Sequence, residues 1–173
     1  MLSVTSVVNS FPNAYSINVL GKQMKIVVSA DEYCPVIDTL LEELERRGHE
    51  TIYFGPKKGE ESLDWTTVTL DAVQLIRSEK ADEGIVCCWT GTGATLIANK
   101  MKGIRAALCG DGETAAGARK WNHANTLGLS LRLLTPELLR EILDAWFHTP
   151  FTDDPWNLEQ IDRIHKVEQS LPI

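Results

Sequence analysis

The chain has 173 residues, enough for one domain with a sizeable core. Hydrophobic residues make up 43% and charged residues 24%, an ordinary globular balance. A net charge of −7 without any Lys/Arg cluster argues against nucleic acid and anionic membranes as partners. No apolar run reaches about 18 residues, so no membrane-spanning helix is predicted.

Residues 1–23 are polar and mixed, without the basic start and solid apolar stretch of a signal peptide. They read as a flexible N-terminal extension, or as the product of an early start codon. Met24–Ser29 (MKIVVS) reads as a strand. Tyr33–Arg47 follows as a helix with Val36, Ile37, Leu40, Leu41 and Leu44 on one face, ended by Gly48. Glu50–Phe54 is a second strand and Gly55–Leu63 a loop. A helix capped by Asp64 or Thr66 runs to about Ser78. Ile85–Cys88 and Ile104–Cys109 are strands, with a helix over Ala94–Met101 between them. A helix over Thr114–Trp121 leads to a short strand, Thr126–Leu129. Thr135-Pro136 opens a further helix with a Thr cap and proline at its first position. A loop at 151–155 precedes a last helix over Leu158–Glu168.

Strand and helix alternating about five times predict an α/β fold: a three-layer αβα sandwich, Rossmann-like, around a five-stranded parallel sheet. One domain is expected over 24–150, with 151–173 as a C-terminal loop and helix. Ligands of such sheets bind outside the carboxyl ends of the strands, here Asp31, Cys88, Cys109–Asp111 and the residues after Leu129.

Four cysteines are present, Cys34, Cys87, Cys88 and Cys109. None forms a CxxC spacing, so zinc or thioredoxin chemistry has no support and no metal site is expected. Cys87 and Cys88 are adjacent in a strand, point to opposite faces and make a poor disulfide pair. Free thiols in a reducing compartment fit a cytoplasmic protein.

The stretch Cys87-Cys88-Trp89-Thr90-Gly91-Thr92-Gly93-Ala94-Thr95 carries the chemistry. It lacks the third glycine of a dinucleotide loop and the Lys-Ser/Thr of a triphosphate loop. A loop that opens a helix still presents backbone N–H groups, and glycines let a ligand approach them. Such a loop can hold an anion or an oxyanion formed during reaction. Thiols near helix N-termini are activated in general, which suits a nucleophile or a general base. Read locally, Cys88 is either that group or a small core residue beside a tight turn.

These residues resemble the ribose-5-phosphate isomerase type B and galactose-6-phosphate isomerase family. The likeness spans about residues 24–168. It is carried by Met24–Asp31, Cys88-x-Thr90-Gly91-x-Gly93, Ala98-Asn99-Lys100, Gly103–Cys109, Asn122-x-x-Asn125 and Leu129–Arg132, in order and at family spacing. The resemblance implies a cofactor-free aldose–ketose isomerase working through a cis-enediolate. It implies a homodimer or tetramer with the site at the subunit interface and the C-terminal helix packed on the partner. By position it makes Cys88 the catalytic base, Thr90, Gly91 and Gly93 the anion-hole loop, Asp31 the group on substrate hydroxyls and Asn122 a ligand of substrate oxygens.

The chain also departs from that pattern. Glu32 stands where relatives carry a phosphate-binding histidine, Trp121 where they carry the ring-opening histidine, and Trp89 where they carry glycine. The C-terminal phosphate arginines fall within 155–160, which has no basic residue, so Arg132 alone remains of the basic set. A dianionic phosphate wants several cationic donors. The expected substrate is therefore open-chain or differently opened, neutral or singly charged at its far end, and not ribose 5-phosphate. Trp89, Trp121 and Trp156 would offer apolar platforms to it, or else pack between subunits. His123 is expected either to replace the missing histidine or to lie at a surface or interface. The rival readings are an ordinary sugar-phosphate isomerase whose phosphate is held by Arg132, Arg119 and Lys120 across a dimer, and a non-catalytic sugar-binding member.

Overall fold

The computed structural model describes residues 23–170, so the expected extension at 1–23 lies, but for its last residue, outside the described residues. The elements run β1 (Lys25–Ala30), α1 (Pro35–Arg46), β2 (Glu50–Phe54), α2 (Trp65–Arg77), β3 (Glu83–Cys88), α3 (Thr92–Ala98), β4 (Ala106–Leu108), α4 (Gly112–Asn122), β5 (Thr126–Ser130), α5 (Pro136–His148) and α6 (Pro155–Ser170). All strand pairs are parallel, in the order β2-β1-β3-β5-β4.

Every expected element is present, and the boundary shifts have local causes. α1 starts at Pro35 rather than Tyr33, because the residue before a proline is held extended, as Cys34 is at φ −135° and ψ 141°. Asp64, not Thr66, caps α2 by accepting from Thr67 N at 2.8 Å. Asp111 caps α4 the same way, accepting from Thr114 N at 2.7 Å, and pulls its start back to Gly112. Asp154 accepts from Asn157 N at 3.1 Å and starts α6 at Pro155. β4 is shorter than expected. Its outer edge is taken by the Asn99 amide, which donates to Ala106 O and accepts from Ala106 N, each at 2.8 Å. A side-chain amide thus satisfies backbone groups that an edge strand otherwise exposes.

α1, α4 and α5 cover one face of the sheet through Ile37, Leu40, Leu44, Ala115, Leu139, Ile142, Leu143 and Trp146. α2 and α3 cover the other through Val73, Ala94 and Ala98. Cys87 belongs to the first core and Cys88 to the second, as alternation along a strand requires. Both are buried free thiols, as is Cys109, whereas Cys34 is half-buried at the start of α1. α6 keeps only Asn157 and Ile161 buried and leaves Trp156, Leu158, Ile164 and Val167 exposed. No helix among the described residues is long and apolar enough to cross a membrane.

The helix caps make a pH prediction. The Thr66 hydroxyl and Thr67 amide hold the Asp64 carboxyl below its ordinary value, and the Thr114 amide does the same for Asp111. A lowered folded pKa gives stability that is present above the unfolded value, about 4, and lost as pH falls through the folded one. A variant with Asp64→Asn and Asp111→Asn keeps both caps but cannot titrate there. Its melting temperature should fall less than the parent's between about pH 6 and about pH 3, measured by thermal circular dichroism.

Candidate active site

The order β2-β1-β3 reverses direction between its first two steps. β1 leads outward to β2, and the chain then crosses back to place β3 on the other side of β1. α1 therefore leaves β1 on one face while α3 leaves β3 on the other, which opens a crevice between the two carboxyl ends. Ala30 pairs with Cys87 in register, and Cys88 pairs with Ser130. Asp31 and Cys88, each one step along, so stand abreast at the mouth of that crevice, about 5 Å apart in the pairing direction.

Cys88 is only 6% exposed. Its carbonyl accepts from Gly91 N at 3.1 Å and Leu131 N at 3.0 Å, and the Trp89 carbonyl accepts from Arg132 N at 3.1 Å and Ser130 Oγ at 3.0 Å. Four donors from two segments hold this strand end still. Gly91 then turns at φ +74°, and a side chain there would meet the Leu129 backbone at 2.8 Å. Both the dihedral and the space require glycine. Thr95 Oγ1 donates to Gly91 O at 2.8 Å, and Thr90 and Thr92 hydroxyls bond each other at 2.7 Å. The amides of Thr92, Gly93 and Ala94 open α3 and have no intrahelical carbonyl to reach. The loop is a small row of donors beside a thiol.

Asp31 Oδ1 is buried without a hydrogen-bond partner among the described residues. Burial, aided by the neighbouring Glu32 charge, pushes its carboxyl above the ordinary range. A buried carboxylate oxygen left unpaired is costly, and a ligand hydroxyl would satisfy it. Glu32 is half-buried beside it, and Arg132 is exposed at the same edge.

One aromatic residue was not legible as part of the site. Trp65, the first residue of α2, lays its ring over Gly93, where an added side chain would stand 3.2 Å from the ring carbons. Trp65 is 39% exposed and Trp89 56% exposed, so two indoles flank the loop. Only tertiary packing brings the start of α2 to residue 93, 28 positions on in sequence.

Trp121 and Asn122 lie elsewhere. They end α4, which runs antiparallel to the strands and returns to the amino-terminal edge of the sheet. Asn122 lines a groove there of about 710 Å³ with Asn99, Arg105, Gln160, Arg163 and Ile164. Both are exposed, Trp121 at 53%. β5 spans most of the sheet between these edges, so no single chain brings Asn122 to Cys88. His123 is half-buried with Nε2 bonded to Thr152 O at 2.8 Å and its ring stacked on Phe151, so it is tied to the C-terminal connection. Arg119, one of the cations expected to be available for a phosphate, is instead consumed by an ion pair with Glu83 at 2.7 Å; Lys120 rests over the Trp121 ring.

The family model described as ribose/galactose isomerase matches residues 26–167. The chain belongs to that family. Its reaction class is aldose–ketose isomerisation. It is 33% identical over 129 residues to the D-erythrulose-4-phosphate isomerase of Pectobacterium atrosepticum, covering 74% of this chain and 85% of that protein. It superposes on a ribose 5-phosphate isomerase of Thermotoga maritima with a TM-score of 0.76 at 35% identity, covering 83% of this chain and 98% of that one. A TM-score of 0.76 at 28% identity relates it to the ribose-5-phosphate isomerase B of Mycoplasma genitalium with bound ribulose-5-phosphate, over 85% and 97% of the two chains. No group of three or more His, Cys, Asp or Glu side chains among the described residues is arranged to hold a metal ion.

The two loop glycines should respond differently to substitution. Gly91→Ala forces a left-handed alanine against backbone and should destabilise the fold by about 1–3 kcal/mol. Gly93→Ala meets only the edge of an indole that can pivot, so its melting temperature should stay near the parent's while Trp65 fluorescence shifts.

Proposed function

We propose that the chain isomerises a short open-chain sugar derivative by proton transfer through a cis-enediolate, with Cys88 as the base. The observation that carries this reading is Asp31 and Cys88 abreast at the switch point, one with an unpaired buried oxygen, the other under a row of free amides. The Cys88 thiolate takes the proton from C2 of the aldose, and the electron pair moves to O1. The Thr90 hydroxyl and the loop amides of Thr92, Gly93 and Ala94 hold the developing oxyanion. Asp31, with its carboxyl raised by burial, holds a proton between O1 and O2 as the charge shifts. The Cys88 thiol then returns its proton to C1, leaving the C2 ketose. Protons balance, and neither a metal nor a redox cofactor enters.

The site is completed by a second copy of the chain, which supplies Trp121 and Asn122. Support comes from their place at the opposite edge of the sheet and from the exposed apolar row on α6, which suits packing on a partner. Trp65 and Trp89, with the partner subunit's Trp121, narrow the space above Cys88 and favour a short substrate. A tetrose phosphorylated on O4 has no hydroxyl to close a furanose, so it needs no ring-opening acid, and a four-carbon sugar acid is open-chain likewise. The relative from Pectobacterium is named for a four-carbon ketose phosphate. One observation bears on a phosphorylated end: Arg105 lines the groove beside Asn122, while Arg163 there is already paired with Glu159 at 2.6 Å. Ribose 5-phosphate should turn over with kcat/KM lower by about 100-fold or more than the best four-carbon substrate. Equal or faster turnover of ribose 5-phosphate would overturn the short-substrate reading.

Two measurements test the mechanism. Cys88→Ala should abolish exchange of the C2 proton in deuterated water, followed by NMR, and undiminished exchange removes Cys88 as the base. Co-refolding inactive Cys88→Ala with the strongly weakened but still measurable Asn122→Ala should raise activity to roughly a quarter of the parental value, because half the dimers are mixed and each has one intact shared site. Zero recovery would mean both residues serve a site within one chain.

A further inference from the structure

Beneath the end of α4, at the amino-terminal edge of the sheet, lies a buried ion pair that the reaction does not use. Glu83, the first residue of β3, is 8% exposed. Its Oε1 accepts from Arg119 Nη1 at 2.7 Å, and its Oε2 accepts from Trp146 Nε1 at 2.8 Å. The Arg119 guanidinium lies between the rings of Trp146 and Phe151, 4.8 and 4.4 Å from their centroids. It also donates to Ala124 O at 2.7 Å. Burying two charges costs several kcal/mol per ion before attraction returns it, and well-packed apolar side chains often serve stability as well or better. A buried pair at this place therefore points to a demand for geometry.

What it holds is the last turn of α4. That helix ends in His123 at φ +48°, a left-handed residue that is not glycine and that persists only where its surroundings insist on it. Arg119 ties Ala124 beyond the turn. Arg105 Nε donates to His123 O at 2.9 Å, His123 Nε2 is bonded to Thr152 O at 2.8 Å, and Thr152 N donates to Lys120 O at 3.1 Å. Phe151 stacks on His123 and covers Arg119 at once. Lys120, Trp121 and Asn122 are the exposed residues of this pinned segment, and no hydrogen bond that pins it uses the Trp121 or Asn122 side chain.

We infer that Glu83 is a positioning residue, which through Arg119 fixes the end of α4 and so aims Asn122 at the substrate. The inference rests on the proposed role of Asn122. It gives β3 two duties: the base Cys88 at its carboxyl end and the anchor for Asn122 at its amino end.

A double-mutant cycle tests it on the parent dimer, using the sugar of the four-carbon panel with the highest kcat/KM. Glu83→Gln keeps the shape and can keep the Trp146 bond while removing the charge. Expected are a loss of about tenfold in kcat/KM, chiefly through KM, and no further loss when Glu83→Gln is added to Asn122→Ala. Losses that multiply in the double variant, or an unchanged kcat/KM in Glu83→Gln, overturn the inference and leave the site reading intact. An unchanged kcat/KM in Asn122→Ala overturns the site reading and this inference together. If Glu83→Gln fails to fold, Arg119→Lys takes its place in the cycle, since it keeps the charge and loses the planar guanidinium whose Nη1 bridges Glu83 and Ala124.

Discussion

The fold hinges on one topological constraint: the sheet reverses its order at β1 and β3. Parallel connections are right-handed, so a reversal sends the next helix to the opposite face. α1 and α3 diverge, and the carboxyl ends of β1 and β3 are left uncovered side by side. Asp31 and Cys88 acquire their relation from this alone. Neither is near the other in sequence, and nothing else in the chain is needed to pair them.

The rest of the structure serves to keep that mouth rigid. Ser130, Leu131 and Arg132 bond the carbonyls of Cys88 and Trp89, so β5 acts as a splint for β3. Gly91 turns the chain within the space that the Leu129 backbone leaves. Gly128 lets α3 lie close on β5, because any side chain there would run into the Thr95 hydroxyl, which is itself bonded to Gly91 O. The loop amides are fixed before a ligand arrives, and a preorganised donor row is what stabilising a transient oxyanion requires.

The same parallel geometry forces a separation. Helices that return between parallel strands carry their last residues to the opposite edge, so the residues ending α4 stand a strand's length from the thiol. In the proposed dimer this is resolved by sharing: each copy supplies one edge to its own site and the other edge to its partner's. The price of sharing is that the end of α4 must be held without help from the site it serves, and the Glu83–Arg119–Trp146 network stands there.

Much of this was legible in the sequence. Alternation of apolar runs with amphipathic stretches fixed the element order, since periods of 2 and 3.6 are local properties. Cys88-x-Thr90-Gly91-x-Gly93 marked the loop, because a left-handed turn needs glycine whatever surrounds it. Alternation alone put Cys87 and Cys88 on opposite faces of the strand, and they fall in two separate cores. The starts of α4 and α6 were placed late, where the hydrogen bonds of Asp111 and Asp154 set them, and for α2 the hydrogen bond of Asp64 chose between the two caps that the sequence offered. Sequence could not show that Trp65 lies on Gly93, that Arg119 is spent on Glu83, or that His123 is tied to Thr152. Those contacts join positions 28, 36 and 29 residues apart, and their existence depends on how layers pack rather than on any local preference. The sequence determined the chemistry available and the order of its parts; the tertiary structure decided which of those parts can meet, because proximity across a sheet is set by strand order and not by distance along the chain.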